Sequence, residues 1–179
     1  REAMERTHRW AKICLKTKSA NQQLLYGIVQ GGEFKDLRQA SAEFISSLPF
    51  DGVAIGGSFG KSESGAFKVL EWTIPFLDEG RPRHFLGIGQ IEDLFEGVER
   101  GIDTFDCVIP TREARHGRIW TAQGSFDITK VAHKTASIPL ESDCLCPTCL
   151  KIARADLHNL FKAKNQLAGQ YATAHNVYF

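Results

Sequence analysis

The chain has 179 residues, of which 42% are hydrophobic and 24% are charged, and its formal net charge is +1. This composition is typical of a globular domain with a real core, and it excludes a disordered chain or one drawn as a whole to nucleic acid or membrane by its net charge. No stretch is long and apolar enough to span a membrane and no secretory signal is visible, so we expect no membrane partner and a cytoplasmic location.

Short apolar segments alternate with helical patterns over the first part of the chain. The predicted strands are 24–29, 52–55, 84–88 and 104–109. The predicted helices, with apolar residues at helical spacing, are 1–18, 35–48, 66–77 and 91–98. This alternation predicts an α/β fold with a parallel sheet of buried strands.

Several predicted strands end in glycine or in a polar residue. In a (β/α) barrel the carboxyl ends of the strands face the active site, so Gln30, Gly57, the segment 87–90 and Asp106 would converge there. Four such units make half of an eight-stranded barrel, and half a barrel has two open edges. Because the chain begins at Arg1 and its only methionine is Met4, we expect the other half to precede it.

The most informative segment is 104–112, an apolar run that carries a carboxylate and leads into a basic loop. Phe105, Val108 and Ile109 favour a strand that Pro110 ends, and Asp106 lies inside the run. The sequence predicts a buried, oriented carboxylate beside a cationic loop, which suggests chemistry on an anionic substrate. An Asp that only caps the next loop or pairs with Arg112 is the structural alternative.

After this segment the character of the chain changes. Between Pro110 and Lys134 there are five Lys or Arg residues against two acidic ones, an excess that could meet phosphates or form a solvated basic loop. Segments 118–121 and 125–129 predict a hairpin, and 150–167 a helix. We therefore divide the chain into barrel units at 1–109 and a second part at 110–179, which contains the basic loop, the hairpin and a cysteine-rich segment.

Three of the five cysteines lie within six residues, as Cys144, Cys146 and Cys149. Thiols this close can wrap one tetrahedral ion, which favours zinc over a disulfide framework. His158 and His175 are candidates for the fourth ligand. We favour His175, which lies past the predicted helix, where the chain can fold back. Four protein ligands would make the zinc structural.

The two remaining cysteines, Cys14 and Cys107, are predicted to be core residues. The alternative for the clustered cysteines is that they are buried thiols without a metal.

Together these motifs resemble the tRNA-guanine transglycosylase family, the queuine tRNA-ribosyltransferases. The resemblance runs over nearly the whole chain and matches the C-terminal half of those enzymes. It rests on motifs that occur in order: Gly-Ile-Val-Gln-Gly-Gly at 27–32, Gly-Gly at 56–57, Gly-Ile-Gly at 87–89, the segment 101–112, and the cysteine cluster with its distant histidine.

The resemblance implies a (β/α)8 TIM-type barrel with a zinc-binding subdomain. It implies exchange of guanine at the tRNA wobble position for a deazaguanine base, through a covalent intermediate on Asp106. The N-terminal half of the same enzyme would supply the general acid/base, so this chain alone is expected to be inactive. The family typically forms homodimers.

The resemblance also assigns binding residues. Those expected to contact the base are Gln30, Gly57, Gly60 and Leu86. Those expected to contact tRNA are Gly87, Ile88, Gly89, Gln90, Ile91, Glu92, Asp93, Thr111, Arg112, Glu113, Ala114 and Arg115. Arg112 and Arg115 are the expected phosphate or base-edge contacts, and a purely structural ion pair is the alternative for each.

Departures from the family pattern fall mainly at 58–62, which reads Ser-Phe-Gly-Lys-Ser. The acidic residue that reads an aminomethyl group is not clearly present, and Glu63 is the nearest candidate. The small Gly60 would leave room for the cyclopentenediol of queuine. Gln90 also stands where a lysine is common, which weakens one phosphate contact.

Two alternatives to the enzyme remain. A non-catalytic tRNA-binding accessory subunit of the same fold would have no need for Asp106. An unrelated barrel hydrolase with a zinc knuckle does not explain the basic segment or the order of the motifs.

Overall fold

The structure, a computed structural model, describes residues 1–19, 22–57 and 63–179, with only the backbone at residues 63 and 64. The described residues form two compact units, Arg1–Cys107 (unit 1) and Val108–Phe179 (unit 2). The division predicted at 109/110 separates parts of the chain by function, and it stays a prediction. Among the described residues, none of the helices combines the length and apolarity that a membrane crossing needs.

Unit 1 alternates helices and strands. Its helices are α1 (Glu2–Thr17), α2 (Lys35–Ser46), α3 (Glu63–Thr73) and α4 (Ile91–Glu99). Its strands are β1 (Tyr26–Val29), β2 (Gly52–Ile55), β3 (Arg83–Leu86) and β4 (Thr104–Asp106). The type and order of the predicted elements are confirmed, although α3 ends earlier than predicted and is followed by a 3₁₀ turn, Ile74–Phe76, that contains a proline.

The four strands form one parallel sheet in the order β1-β2-β3-β4. The register pairs Ile28 with Ala54, Ala54 with His84 and His84 with Thr104. The prediction of an α/β fold with a parallel sheet is therefore confirmed.

The two faces of this sheet differ in burial. On one face Val29, Val53 and Phe85 are fully buried against α2 and α3. Burying each such side chain contributes about 1.5–3 kcal/mol, so the packing of helices on this face stabilises unit 1. On the other face Ile28 and Thr104 are exposed. The prediction of strands buried on both faces holds for β2 alone, because the described helices pack on one face only.

Unit 2 contains α5 (Ile109–Arg115), a hairpin of β5 (Arg118–Thr121) and β6 (Gly124–Asp127), α6 (Arg154–Lys162) and α7 (Leu167–Tyr178). The hairpin is antiparallel, as predicted. The helix predicted at 150–167 is present as the shorter α6, and a second helix that was not predicted, α7, follows it because the chain turns at Lys164, whose φ is +53°. His175 consequently lies within α7 and not past a helix end.

The end of β4 also differs from the prediction. The strand ends at Asp106, and Ile109 begins α5. Pro110 lies in the first turn of α5, where its missing N–H costs no helical hydrogen bond. The predicted basic loop at 111–115 is therefore helical.

Candidate functional site

The predicted site residues of unit 1 lie along one edge of the sheet. Gln30 follows β1, Gly57 follows β2, and Leu86 and Asp106 end β3 and β4. Because the strands are parallel, their carboxyl ends share this edge, and the register places Leu86 opposite Asp106. The structure thus brings these four residues to one edge of unit 1.

The Asp106 side chain is oriented by two donors but is not buried. Its Oδ1 lies 3.2 Å from the Gly87 backbone nitrogen and 3.1 Å from Nε2 of His84. The side chain is 61% exposed, so the predicted burial is wrong. Within the described residues β4 pairs with β3 alone, and Asp106 points to the face that the helices leave uncovered.

The glycines after β2 keep the backbone accessible at this edge. Gly57 has φ +95°, and a Cβ there would lie 2.5 Å from Oε1 of Gln30. A Cβ at Gly56 would lie 2.9 Å from Cδ1 of Leu86. Glycine therefore lets the backbone, the Gln30 amide and the Leu86 side chain meet without a clash.

A buried arginine that the sequence analysis missed holds these loops. The Arg38 side chain is fully buried and donates from Nε to the Gly32 carbonyl at 2.7 Å and from Nη1 to the Gly56 carbonyl at 2.7 Å. Burial lowers the pKa of Arg38 to about 10. This value is still well above neutral pH, so the guanidinium is charged. The available signal was a basic residue beside Leu37 on the core-facing side of α2.

Two further polar residues support the backbone at Gln30. The Gln30 N–H donates to Oγ of the buried Ser41 at 3.0 Å, and Nε2 of His8 lies 2.9 Å from the same oxygen. The His8 ring stacks on Phe44 with the ring centroids 4.1 Å apart. Burial lowers the pKa of His8, which favours its neutral form.

The uncovered sheet face carries a groove of about 390 Å³. Side chains from all four strands line it: Tyr26, Ile28, Ala54, His84, Leu86 and Thr104. His84 was also missed by the sequence analysis. Its position two residues before Leu86, on the same face of β3, was the available signal.

The other predicted residues of unit 1 have separate outcomes. Gly60 lies outside the described residues, and so does the side chain of Glu63. The segment 87–93 forms the loop after β3 and the first turn of α4. Cys14 is exposed on α1, so its predicted place in the core is wrong, because it lies on the outer face of that helix. Cys107 is partly exposed and packs against Gly89.

The predicted tRNA-contacting residues of unit 2 lie on α5. Thr111 is partly buried, whereas Arg112 and Arg115 are exposed. Ala114 is fully buried, which leaves its neighbours to make any contact with RNA. Glu113 accepts a hydrogen bond from Nε1 of Trp120 at 2.8 Å.

A depression of about 340 Å³ lies beside α5. Its lining mixes cationic and anionic side chains: Arg112, Glu113, His116, Arg118 and Asp127. Burial acts to raise the pKa of Asp127, but the hydrogen bonds from Thr129 and the charges of Lys130 and Arg118 together lower it below its ordinary value, so its carboxylate stays charged. The depression is thus not purely basic.

Unit 2 also brings the predicted metal ligands together. The ligand atoms of Cys144, Cys146, Cys149 and His175 all lie within 4.8 Å of one another. Nδ1 of His175 is 3.7, 3.5 and 3.4 Å from the three sulfurs in chain order. Tetrahedral zinc, with Zn–S of about 2.3 Å and Zn–N of about 2.0–2.1 Å, separates sulfur and nitrogen by about 3.5 Å. The spacing therefore fits zinc.

The surroundings of this cluster fit a structural ion. Nε2 of His175 donates to the Trp120 carbonyl at 2.7 Å, which fixes the ring and leaves Nδ1 to bind metal. Burial raises the pKa of the Cys149 thiol to about 12, so its thiolate needs a cation at neutral pH. All four positions are taken by protein, and the Cys3His group is a closed site for structural zinc. His158 instead lies beside the Ile128 carbonyl.

The parallel sheet with a carboxylate at a strand end, and the Cys3His group in the following unit, define a zinc-binding α/β protein. A family model described as Queuine tRNA-ribosyltransferase matches residues 1–179, and the chain belongs to that family.

Similar proteins named queuine tRNA-ribosyltransferase occur in several organisms. The protein of Dehalococcoides mccartyi strain BAV1 is 46% identical over 178 residues, which cover 99% of this chain and 45% of the relative. That of Halothermothrix orenii is 43% identical, with 99% and 48% covered. That of Protochlamydia amoebophila is 43% identical, with 100% and 47% covered. The chain spans about half the length of these curated relatives.

Proposed function

We propose that the protein containing this chain is a tRNA-guanine transglycosylase, which exchanges guanine at the tRNA wobble position for queuine or a queuine precursor. Family membership over residues 1–179 supports the proposal. The observation that carries it is the Asp106 carboxylate, which is held at Oδ1 on the sheet edge that also bears Gln30 and Gly57. A binding protein without catalysis has no need of such a group.

The proposed reaction consists of two displacements. An Asp106 oxygen bonds to the ribose anomeric carbon while the bond to guanine breaks, and guanine leaves with the electron pair and takes a proton from a general acid. A nitrogen of the incoming base then bonds to the same carbon, loses its proton and expels the carboxylate. The oxocarbenium character of each transition state favours a nearby anion, and no ATP is needed.

The base is proposed to bind between the ends of β1, β2 and β3. Gln30 would hydrogen-bond the base and the Gly57 N–H its carbonyl, while Leu86 lies against the base plane. Support comes from the glycine geometry, which leaves the Gly57 backbone accessible beside Gln30. The role of Gly60, room for the cyclopentenediol of queuine, rests on sequence alone.

The tRNA is proposed to contact residues 87–93 and the exposed arginines of α5, Arg112 and Arg115. Exposure and charge support this role, since such side chains are the usual phosphate and base-edge contacts. A homodimer and a cytoplasmic location remain part of the proposal.

The four parallel βα units are proposed to be the C-terminal half of a (β/α)8 barrel. The relatives are about twice as long as this chain, and the helices cover only one face of the described sheet, as they do on the outside of a barrel. The general acid/base would come from the other half. We therefore expect residues 1–179 alone to show no base exchange, and detectable exchange would contradict this part.

The Asp106 role is tested with a full-length protein that contains residues 1–179. Incubation with cognate tRNA should give an RNA–protein adduct on a denaturing gel, and Asp106→Asn should give none, because an amide is not a nucleophile here. Asp103→Asn, with its carboxylate on the backbone N–H of Arg83, is the matched control and should retain the adduct. An adduct with Asp106→Asn would mean that the nucleophile is another residue, and no wild-type adduct would favour the accessory subunit.

The choice of base is tested with the same full-length protein and cognate tRNA. Incorporation is compared for queuine and for the aminomethyl precursor. We expect queuine to be accepted, and incorporation of the precursor alone would contradict the role given to Gly60.

A further inference from the structure

His84 lies between two polar side chains of β4 on the uncovered face of the sheet. Its Nδ1 is 2.8 Å from Oγ1 of Thr104, and its Nε2 is 3.1 Å from Oδ1 of Asp106. Tyr26 meets the imidazole edge-to-face, with centroids 6.5 Å apart and ring planes at 85°. Both ring nitrogens and the ring plane therefore have defined partners.

These contacts determine where the proton of the neutral ring lies. An ionised Asp106 only accepts hydrogen bonds, so Nε2 must carry the proton that it donates. In the neutral ring Nδ1 is then an acceptor, and the Thr104 hydroxyl donates to it. Thr104 thus selects the tautomer that serves Asp106.

The donors to Asp106 are unevenly placed. His84 and the Gly87 N–H both bind Oδ1, while Oδ2 accepts no hydrogen bond from the described part of the chain. A carboxylate held by one oxygen has a fixed plane and presents the other oxygen for attack. The groups that face His84 from other strands are Asp106 and Thr104 on β4 and Tyr26 on β1.

We infer that His84 is the positioning residue of Asp106, holding Oδ1 through an Nε2 proton that Thr104 keeps in place. This inference rests on the proposed function and deepens it, because it says which carboxylate oxygen attacks: Oδ2 forms the ribosyl bond. His84 keeps its proton in both displacements and transfers none.

The test replaces His84, in the full-length protein, by side chains whose amide takes the place of only one of the two ring nitrogens. His84→Asn keeps an amide near Nδ1 but cannot reach Asp106. His84→Gln places an amide N–H near Nε2. Losing a hydrogen bond to a charged group predicts a kcat about 10- to 100-fold lower for His84→Asn, with KM for tRNA and base unchanged. His84→Gln should recover most of kcat.

A second matched pair keeps the test decisive if His84→Asn does not fold. His84→Glu has the shape of His84→Gln but brings a carboxylate to Asp106, so its kcat should fall well below that of His84→Gln.

Thr104→Val removes the hydroxyl that donates to Nδ1 of His84, so the ring is no longer held in one tautomer and kcat should fall several-fold. His133→Asn, a histidine of unit 2 packed on Phe126, is the control and should match wild type.

The outcomes separate the inference from the proposed function. Wild-type kcat in His84→Asn, or equal losses in the Asn and Gln variants, would overturn the role of His84. A change in KM with kcat unchanged would also overturn it. Exchange that survives Asp106→Asn would instead contradict the proposed function.

Discussion

At the scale of single residues, Arg38 joins the ends of two strands. Its guanidinium is fully buried and reaches carbonyls of the loop after β1 and of the loop after β2. The planar guanidinium can donate hydrogen bonds to acceptors in two directions at once, whereas the ammonium of a lysine is one compact group at a single position. Arg38 thus stabilises the geometry in which Gln30 and Gly57 lie side by side.

Replacing Arg38 by lysine should destabilise unit 1. Each buried carbonyl left without its donor costs about 1–3 kcal/mol, and one ammonium cannot serve both Gly32 and Gly56. The free energy of unfolding in urea measures the effect, with the exposed Arg6→Lys on α1 as control. Equal stability of Arg38→Lys and wild type would show that the guanidinium is not needed.

The partners of these single polar residues could not be predicted from the sequence. Arg38 on α2 and His84 on β3 each depend on partners 18 or more residues away in the chain, Gly56 and Asp106. Spacing indicates the face on which a residue lies, but it does not indicate which carbonyl or carboxylate of another strand that face meets.

At the scale of elements, Asp51 ties three segments together ahead of β2. Its Oδ2 accepts hydrogen bonds from Nζ of Lys18, just after α1, at 2.7 Å and from the N–H of Leu25, just before β1, at 2.8 Å. The Lys18 hydrogen bond, followed by the Leu25 N–H, lowers the pKa of Asp51 below its ordinary value of 3.8.

Asp51→Asn should therefore destabilise the protein at neutral pH but not in acid. A carboxyl with a lowered folded-state pKa stabilises the fold above its unfolded pKa, and the contribution is lost as pH falls through the folded value. The difference between wild type and variant in denaturant midpoint should be present at pH 7 and shrink below about pH 4. Asp36→Asn, which removes an exposed ion pair with Arg1, is the control. A difference that does not change with pH would contradict the role of the charge.

Element types could be predicted from the sequence, and the junction of β4 with α5 could not. Periodicity was clear where apolar residues filled one helix face, as in α4, or a short run such as β2. Val108 and Ile109 continue the apolar run after Asp106, and the proline that directly follows them can end a strand or begin a helix equally well. Local preference leaves that choice to the packing of α5 in unit 2.

At the scale of the whole molecule, the zinc group joins segments that are far apart in sequence. Cys144, Cys146 and Cys149 lie between the hairpin and α6, whereas His175 belongs to α7.

The zinc ligands could be predicted from the sequence because three clustered thiols need a fourth donor. The exposure of Asp106 could not, because burial depends on which elements cover a sheet face.

Loss of a zinc ligand should unfold unit 2. Structural zinc contributes about 10–16 kcal/mol of apparent binding free energy, far more than this small core can replace. Cys149→Ser should lower the zinc content measured by mass spectrometry, together with helical circular dichroism. Cys14→Ser, at the exposed cysteine of α1, should change neither. Full helicity in a zinc-free Cys149→Ser protein would contradict a structural role.

Asn176, the residue that follows the metal ligand His175, connects the zinc group to α5 and β5. Asn176 donates from Nδ2 to the carbonyls of Arg118 at 2.9 Å and Pro110 at 3.3 Å, and its Oδ1 accepts the Trp120 N–H at 3.1 Å. The turn of α7 that binds metal through His175 thus also anchors the start of α5, the helix of the exposed arginines. If Arg112 and Arg115 contact tRNA as proposed, loss of zinc should therefore also weaken tRNA binding, because α5 would lose this anchor.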